Sequence, residues 1–99
     1  MEYKFTDRDY STIADMIMSE LVSPDYFSGR VEIIGSEGAE IVFRASLVFY
    51  RNRQGLASSA DCRIIGVGEV WYDVEVLLDG ISVEHDFDME ALKGRFIEL

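Results

Sequence analysis

The stretch Ile64–Phe87, IIGVGEVWYDVEVLLDGISVEHDF, decides the fold. Two β-rich runs flank Asp79-Gly80, and an Asp-Gly pair signals a hairpin because a type I′ turn needs positive φ at both central residues. A two-residue loop leaves no freedom in the pairing: Leu78 faces Ile81, Val76 faces Val83, Val74 faces His85 and Tyr72 faces Phe87. Those pairs share one face, apolar or aromatic throughout except for His85, and this agreement between turn chemistry and the two-residue side-chain period supports the register. The opposite face then sets Leu77 against Ser82, Glu75 against Glu84 and Asp73 against Asp86, with Trp71 near Asp88. Opposed carboxylates cost a hairpin about 0.2–1 kcal/mol per pair, so solvation, neighbouring arginines, a cation or a cationic partner has to offset them.

Upstream, Phe27–Gly35 and Ala39–Tyr50 form a second hairpin around Ser36-Glu37-Gly38, a three-residue loop with glycine in the left-handed position. It pairs Ile33 with Ile41, Val31 with Phe43 and Phe27 with Leu47, again bringing apolar side chains onto one face. Gly66 and Gly68 weaken the start of the third long strand and point to a bulge or a close backbone approach. The connection Arg51–Cys62, RNRQGLASSADC, is long and polar for a hairpin loop.

Helices flank the strands. Thr6 is a suitable N-cap with Asp9 three residues on, and Phe5 and Tyr10 have the spacing of a hydrophobic staple. Tyr10, Ile13, Ala14, Ile17 and Leu21 follow one helical face, and Ser23-Pro24 ends the element. Asp88 caps a short closing helix that runs to about Glu98, with Met89, Leu92, Phe96 and Leu99 as its apolar stripe and Gly94 as a weak point. The reading is an α+β two-layer sandwich: a four-stranded antiparallel meander with the N- and C-terminal helices on one face, in the order α-β-β-β-β-α.

Ninety-nine residues with 48% hydrophobic and 12% aromatic content suffice for one packed domain spanning 1–99. A formal charge of -10 argues against nucleic-acid binding, which needs clustered Lys and Arg, and favours solubility or a basic protein partner. The single cysteine, Cys62, excludes an intramolecular disulfide and fits a reducing, cytoplasmic setting. No apolar run approaches membrane-spanning length, and the N-terminus MEYKFTDRDY lacks a signal-peptide pattern.

No motif defines a biochemical activity, and a helix-plus-sheet layout alone does not supply one. The informative surface is the uncovered sheet face. There Trp71, Tyr50, Val42 and Val48 stand beside Arg30, Arg44, Asp73, Glu75, Glu84 and Asp86. One reading is an inter-strand salt-bridge network in solvent, in which Arg30 opposes Arg44 and Arg44 reaches Asp73 or Glu75. The functional reading is a non-enzymatic interaction or adapter domain, because aromatics with arginine are what interface centres favour. Self-association and a basic protein partner both satisfy it.

Competing readings carry less. Asp73, Glu75, Glu84 and Asp86 could hold Ca²⁺ or Mg²⁺, but no EF-hand loop is present and strands are stiff platforms for such ligands. Arg51, Arg53 and Arg63 flank the long loop and could meet a phosphate or an acidic partner, making a small ligand-binding protein or enzyme the alternative. An acidic nucleic-acid mimic rests on charge alone. The balance is against an enzyme, and no cofactor is expected. His85, the only histidine, falls on the core face, Asp61 opposes activation of Cys62 by Arg63, and GVGE lacks the helix that follows a phosphate loop.

Overall fold

The computed structural model describes residues 2–51 and 63–97. In chain order the elements are β1 (Glu2–Tyr3), α1 (Asp7–Ser19), β2 (Tyr26–Ile34), β3 (Glu40–Arg51), β4 (Ile64–Leu78), β5 (Ile81–His85) and α2 (Met89–Phe96). The strands form one sheet in the order β1-β5-β4-β3-β2. Glu98 and Leu99, at the expected end of the closing helix, lie outside the described residues.

Turn chemistry sets both hairpins. Asp79 and Gly80 take φ of 53° and 79°, as a type I′ turn requires, and Val76, Leu77 and Leu78 pair with Val83, Ser82 and Ile81. The first hairpin turns through Ser36–Gly38 with Glu37 at 58° and Gly38 at 74°. It sets Phe27, Val31 and Ile33 against Leu47, Phe43 and Ile41, in the register the loop length predicts.

The helices start where their caps dictate. Thr6 Oγ1 accepts from the Asp9 amide at 3.2 Å, while Asp9 Oδ2 accepts from the Thr6 amide at 3.0 Å, which closes a capping box. Phe5 stacks on Tyr10 at 5.5 Å between ring centroids, completing the staple. Asp88 Oδ1 accepts from the Glu90 amide at 3.0 Å and starts α2. Tyr10, Ile13, Ala14 and Ile17 of α1 and Met89, Leu92 and Phe96 of α2 join one core with Val31, Ile41, Phe43, Ala45, Leu47 and Val76 of the sheet. Both helices therefore cover the same sheet face, giving the α+β two-layer arrangement.

Two features depart from the expected meander. The first is β1, which runs parallel to β5 with Glu2 opposite Glu84 and Tyr3 opposite His85, so the sheet is five-stranded and mixed. A two-residue strand has no periodicity to betray it. Tyr3 holds it in place: its buried hydroxyl donates to Asp9 Oδ2 at 2.6 Å and accepts from the Ser36 amide at 2.9 Å. Burial, and then the hydrogen bond to Asp9, raises the phenol pKa and keeps that donor protonated.

The second departure lies in β4, whose 15 residues, at about 3.3 Å each, account for the 50 Å long axis of the molecule. Its ladder with β3 pairs Ser46 with Trp71 but Leu47 with Glu69, and Tyr50 with Gly66 but Arg51 with Ile64. Val70 and Ile65 are thus extra residues, each a β-bulge. Alternation inverts at Val70. Tyr72, Val74 and Val76 face the helices as expected, but beyond the bulge the odd-numbered Glu69 and Val67 do so, opposite Leu47 and Phe49.

Gly35 is where the Tyr3 hydroxyl passes under the first hairpin. A Cβ there would collide with Tyr3 Oη and lie 2.8 Å from Ile41 Cδ1. Because Gly35 has φ of -92°, alanine tests crowding and not backbone strain. Gly35→Ala is expected to lower stability to urea by about 1–3 kcal/mol. The loss should be smaller in a Tyr3→Phe background, and a double-mutant cycle showing no coupling would contradict the packing described.

Candidate functional site: the open sheet face

On the face away from the helices, strand alternation aligns side chains in rows across β2, β3 and β4. Nearest the hairpin turn stand Ile34, Glu40 and Leu77, then Glu32, Val42 and Glu75, then Arg30, Arg44 and Asp73, and then Ser28, Ser46 and Trp71. A shallow depression of about 310 Å³ at the turn end is walled by Ile34, Glu40, Val42 and Leu77. Val42 is 9% exposed although it lies on the open face, with Glu32 and Glu75 as its cross-strand neighbours. Val48 is half-buried.

The far end of the face is aromatic. Trp71 is 49% and Tyr50 57% exposed. The Tyr50 ring lies over the two glycines of β4: a Cβ on Gly68 would come within 3.2 Å of Tyr50 Oη, and one on Gly66 within 3.6 Å of its Cδ2. Glycine here serves a close approach by a side chain, and the two bulges flank it at Ile65 and Val70. An aromatic ring covering strand glycines replaces the packing they lack.

Electrostatically the face divides into satisfied and unsatisfied groups. Arg30 pairs with Glu32 at 2.8 Å and Arg44 with Asp73 at 3.1 Å; exposed pairs of this kind contribute about 0–1 kcal/mol each. Among the described residues Glu40, Glu75 and Glu84 make no ion pair. The opposed carboxylates expected from the hairpin largely dissolve, because the β4–β5 ladder ends at Val83. Asp86 leaves the face altogether: its Oδ1 accepts from the Phe5 amide at 2.7 Å, and its own amide donates to the Tyr3 carbonyl. Glu84 remains in the sheet, opposite Glu2, whose charge is met by Lys4 at 2.8 Å.

The other candidates are placed differently. Among the described residues no group of three or more His, Cys, Asp or Glu is arranged to hold a metal ion. His85 has both ring nitrogens committed to backbone: Nδ1 accepts from the Phe87 amide at 3.2 Å, which assigns the proton to Nε2, 3.3 Å from the Val74 carbonyl. Arg51 donates to the Pro24 carbonyl at 2.6 and 3.0 Å and pairs with Asp25 at 3.3 Å, its side chain only 5% exposed. It ties β3 to the chain entering β2 and offers no open cation. Arg63 is exposed, while Arg53, Cys62 and residues 52–62 generally lie outside the described residues. No helix among the described residues is long and apolar enough to cross a membrane.

Sequence reasoning missed the contact between Glu69 and Lys93, which joins β4 to α2 on the helix side. Its only signal was the glycine pair, which announced a bulge without its position. No protein-family model matches the chain, and neither a curated protein nor a solved structure matches it.

The hydrogen bond from Lys93 lowers the Glu69 pKa, and the same bond raises that of Lys93 against the opposing effect of desolvation. A depressed carboxyl adds stability above its usual value near 4.5 and loses it as pH falls through the folded-state value. The raised Lys93 adds stability below 10.5 and loses it as pH rises through the folded-state value. Glu69→Gln should cost up to ~1 kcal/mol at neutral pH, with the gap to wild type closing in acid below pH 4.5. Urea titrations at pH 7 and pH 3 check this; a gap unchanged in acid would assign the cost to packing.

Proposed function

We propose that the chain is a non-enzymatic protein-interaction domain that takes a basic protein segment on the open sheet face around Trp71. One observation carries the reading: on a face that neither helix covers, exposed Trp71 and Tyr50 occupy one end, while Glu75 and Glu40, which have no cation of their own among the described residues, stand further along the same strands toward the hairpin turn, with Glu84 on β5. Aromatic faces attract lysine and arginine, and unpaired carboxylates steer them, more so in a chain of net charge -10. The two arginines on the face are already paired and keep the carboxylates nearest the aromatic end from dominating, so the attraction is strongest toward Glu75 and Glu84. The backbone bonds of His85 support a structural role over a catalytic one. A cytoplasmic setting suits a chain with one cysteine.

Trp71 is the sole tryptophan and so reports on its own face. Titration with a short peptide of alternating lysine and valine should shift its emission blue, with affinity falling as salt rises. Glu75→Lys combined with Glu84→Lys should weaken binding about tenfold or more. Emission that stays put through a millimolar titration, or an affinity indifferent to both substitutions, would sink the reading.

A further inference from the structure

Beside that face lies a surface of another kind. β4 pairs with β3 along its whole length, but with β5 only at Val76, Leu77 and Leu78. Among the described residues, the outer edge of β4 from Arg63 to Asp73 has no strand partner. A strand edge presents a row of backbone donors and acceptors to whatever chain can align with it. Ile65, Val70, Trp71 and Tyr72, four of the large apolar residues left exposed, fall in this one segment.

We infer that this edge pairs with the same edge of a second copy, antiparallel about a twofold axis at Gly68, joining two sheets into one. The register comes from the segment itself. The ladder with β5 begins at Val76, and the Val74 carbonyl is already bonded by the His85 ring, so the stretch free to pair runs from 63 to 73, and overlapping it fully on itself centres the pair on Gly68. That register sets Arg63 opposite Asp73, Ile64 opposite Tyr72, Ile65 opposite Trp71, and Val67 opposite Glu69. No like charges meet, and each end carries an opposite-charge pair. Arg63 makes no ion pair among the described residues, and the Asp73 carboxylate, though bonded to Arg44, stays 58% exposed. Centring on Glu69 would oppose two glutamates, and centring on Val70 would leave Arg63 opposite Leu77, which β5 already occupies.

The faces agree as well. Ile64 and Tyr72 both lie on the helix side, as do Val67 and Glu69, while the glycine at the axis puts no side chain on the open face. Aliphatic–aromatic neighbours across strands are favourable, as are opposite charges. This inference shares Trp71 with the basic-partner reading but rests on the backbone edge of β4 and not on the carboxylates of the face.

The two respond oppositely to salt. Two chains of net charge -10 repel, so screening should strengthen self-association while weakening capture of a basic peptide. Sedimentation of the full chain should give a mass that rises toward twice the monomer with concentration, and at lower concentration in 500 mM than in 50 mM NaCl. Arg63→Asp, which opposes like charges, and Val70→Lys, at an exposed bulge, should each weaken association about tenfold or more. Ile81→Lys, exposed but off this edge, should not. Amide exchange at residues 64–73 should slow with concentration in wild type. A monomer at millimolar concentration in both salts overturns the inference, as does a dimer that ignores Arg63→Asp and Val70→Lys alike or leaves those amides unprotected.

Discussion

One extra residue in β4 governs how both faces of this sheet are used. With Val70 bulged out, Trp71 stays on the open face opposite Ser46, while Glu69 turns to the helix side opposite Leu47. A strand without the bulge would keep strict alternation, because the side-chain period is two. Glu69 would then join Trp71, Asp73 and Glu75 on the open face, and Lys93 of α2 would lose its partner. The bulge therefore turns one carboxylate of a strongly acidic strand toward a lysine. The same local twist delivers Gly68 and Gly66 beneath Tyr50, so the aromatic end of the open face rests on the inversion too.

The remaining acidic charge is distributed by use. Asp9 closes the α1 capping box and also receives the Tyr3 hydroxyl. Asp86 holds the Phe5 amide, and Asp88 starts α2. These carboxylates work as acceptors for backbone amides that would otherwise lack a partner at a helix start or chain crossing. They surround an aromatic joint in which Phe5 packs edge-on against Tyr3, His85 and Phe87 at 5.3–5.7 Å. The joint binds β1, α1 and the chain leaving β5 into one unit. Other carboxylates lie on the helices and turns, among them Asp7, Asp15 and Glu90, but Glu32, Glu40, Asp73 and Glu75 share the open sheet face with Trp71, so charge and exposed aromatics occur together there.

Much of this is legible in the sequence. Asp79-Gly80 and Ser36-Glu37-Gly38 determine their registers through positive φ, a property of the residues themselves, and Thr6, Asp9 and Asp88 announce helix starts by the same local chemistry. What escaped were features that depend on partners distant in sequence. β1 is too short for periodicity, and its anchor spans Tyr3, Asp9 and Ser36. Asp86 continued the alternation of β5 on paper, yet its carboxylate goes to Phe5, 81 residues away along the chain. Arg51 looked like a loop-edge cation, and only the return of Pro24 and Asp25 to the start of β2 makes it a buried tie. The glycines of β4 signalled an irregularity, but choosing Val70 as the bulged residue requires knowing that Leu47 and Phe49 must keep facing the core.

The proposed uses of face and edge bear on each other through charge and symmetry. A twofold axis perpendicular to the sheet would leave both open faces on the same side, with each Trp71 next to the joining edge. A basic partner long enough to span that join would meet two acidic faces at a high effective concentration, which raises avidity without any new contact. It would also neutralise part of the repulsion that opposes joining two chains of net charge -10. Linkage makes the effect reciprocal: whatever factor the partner adds to self-association, self-association adds to the partner's affinity. The acidic charge that disfavours the pair alone would thus become the reason the pair forms when its partner is present.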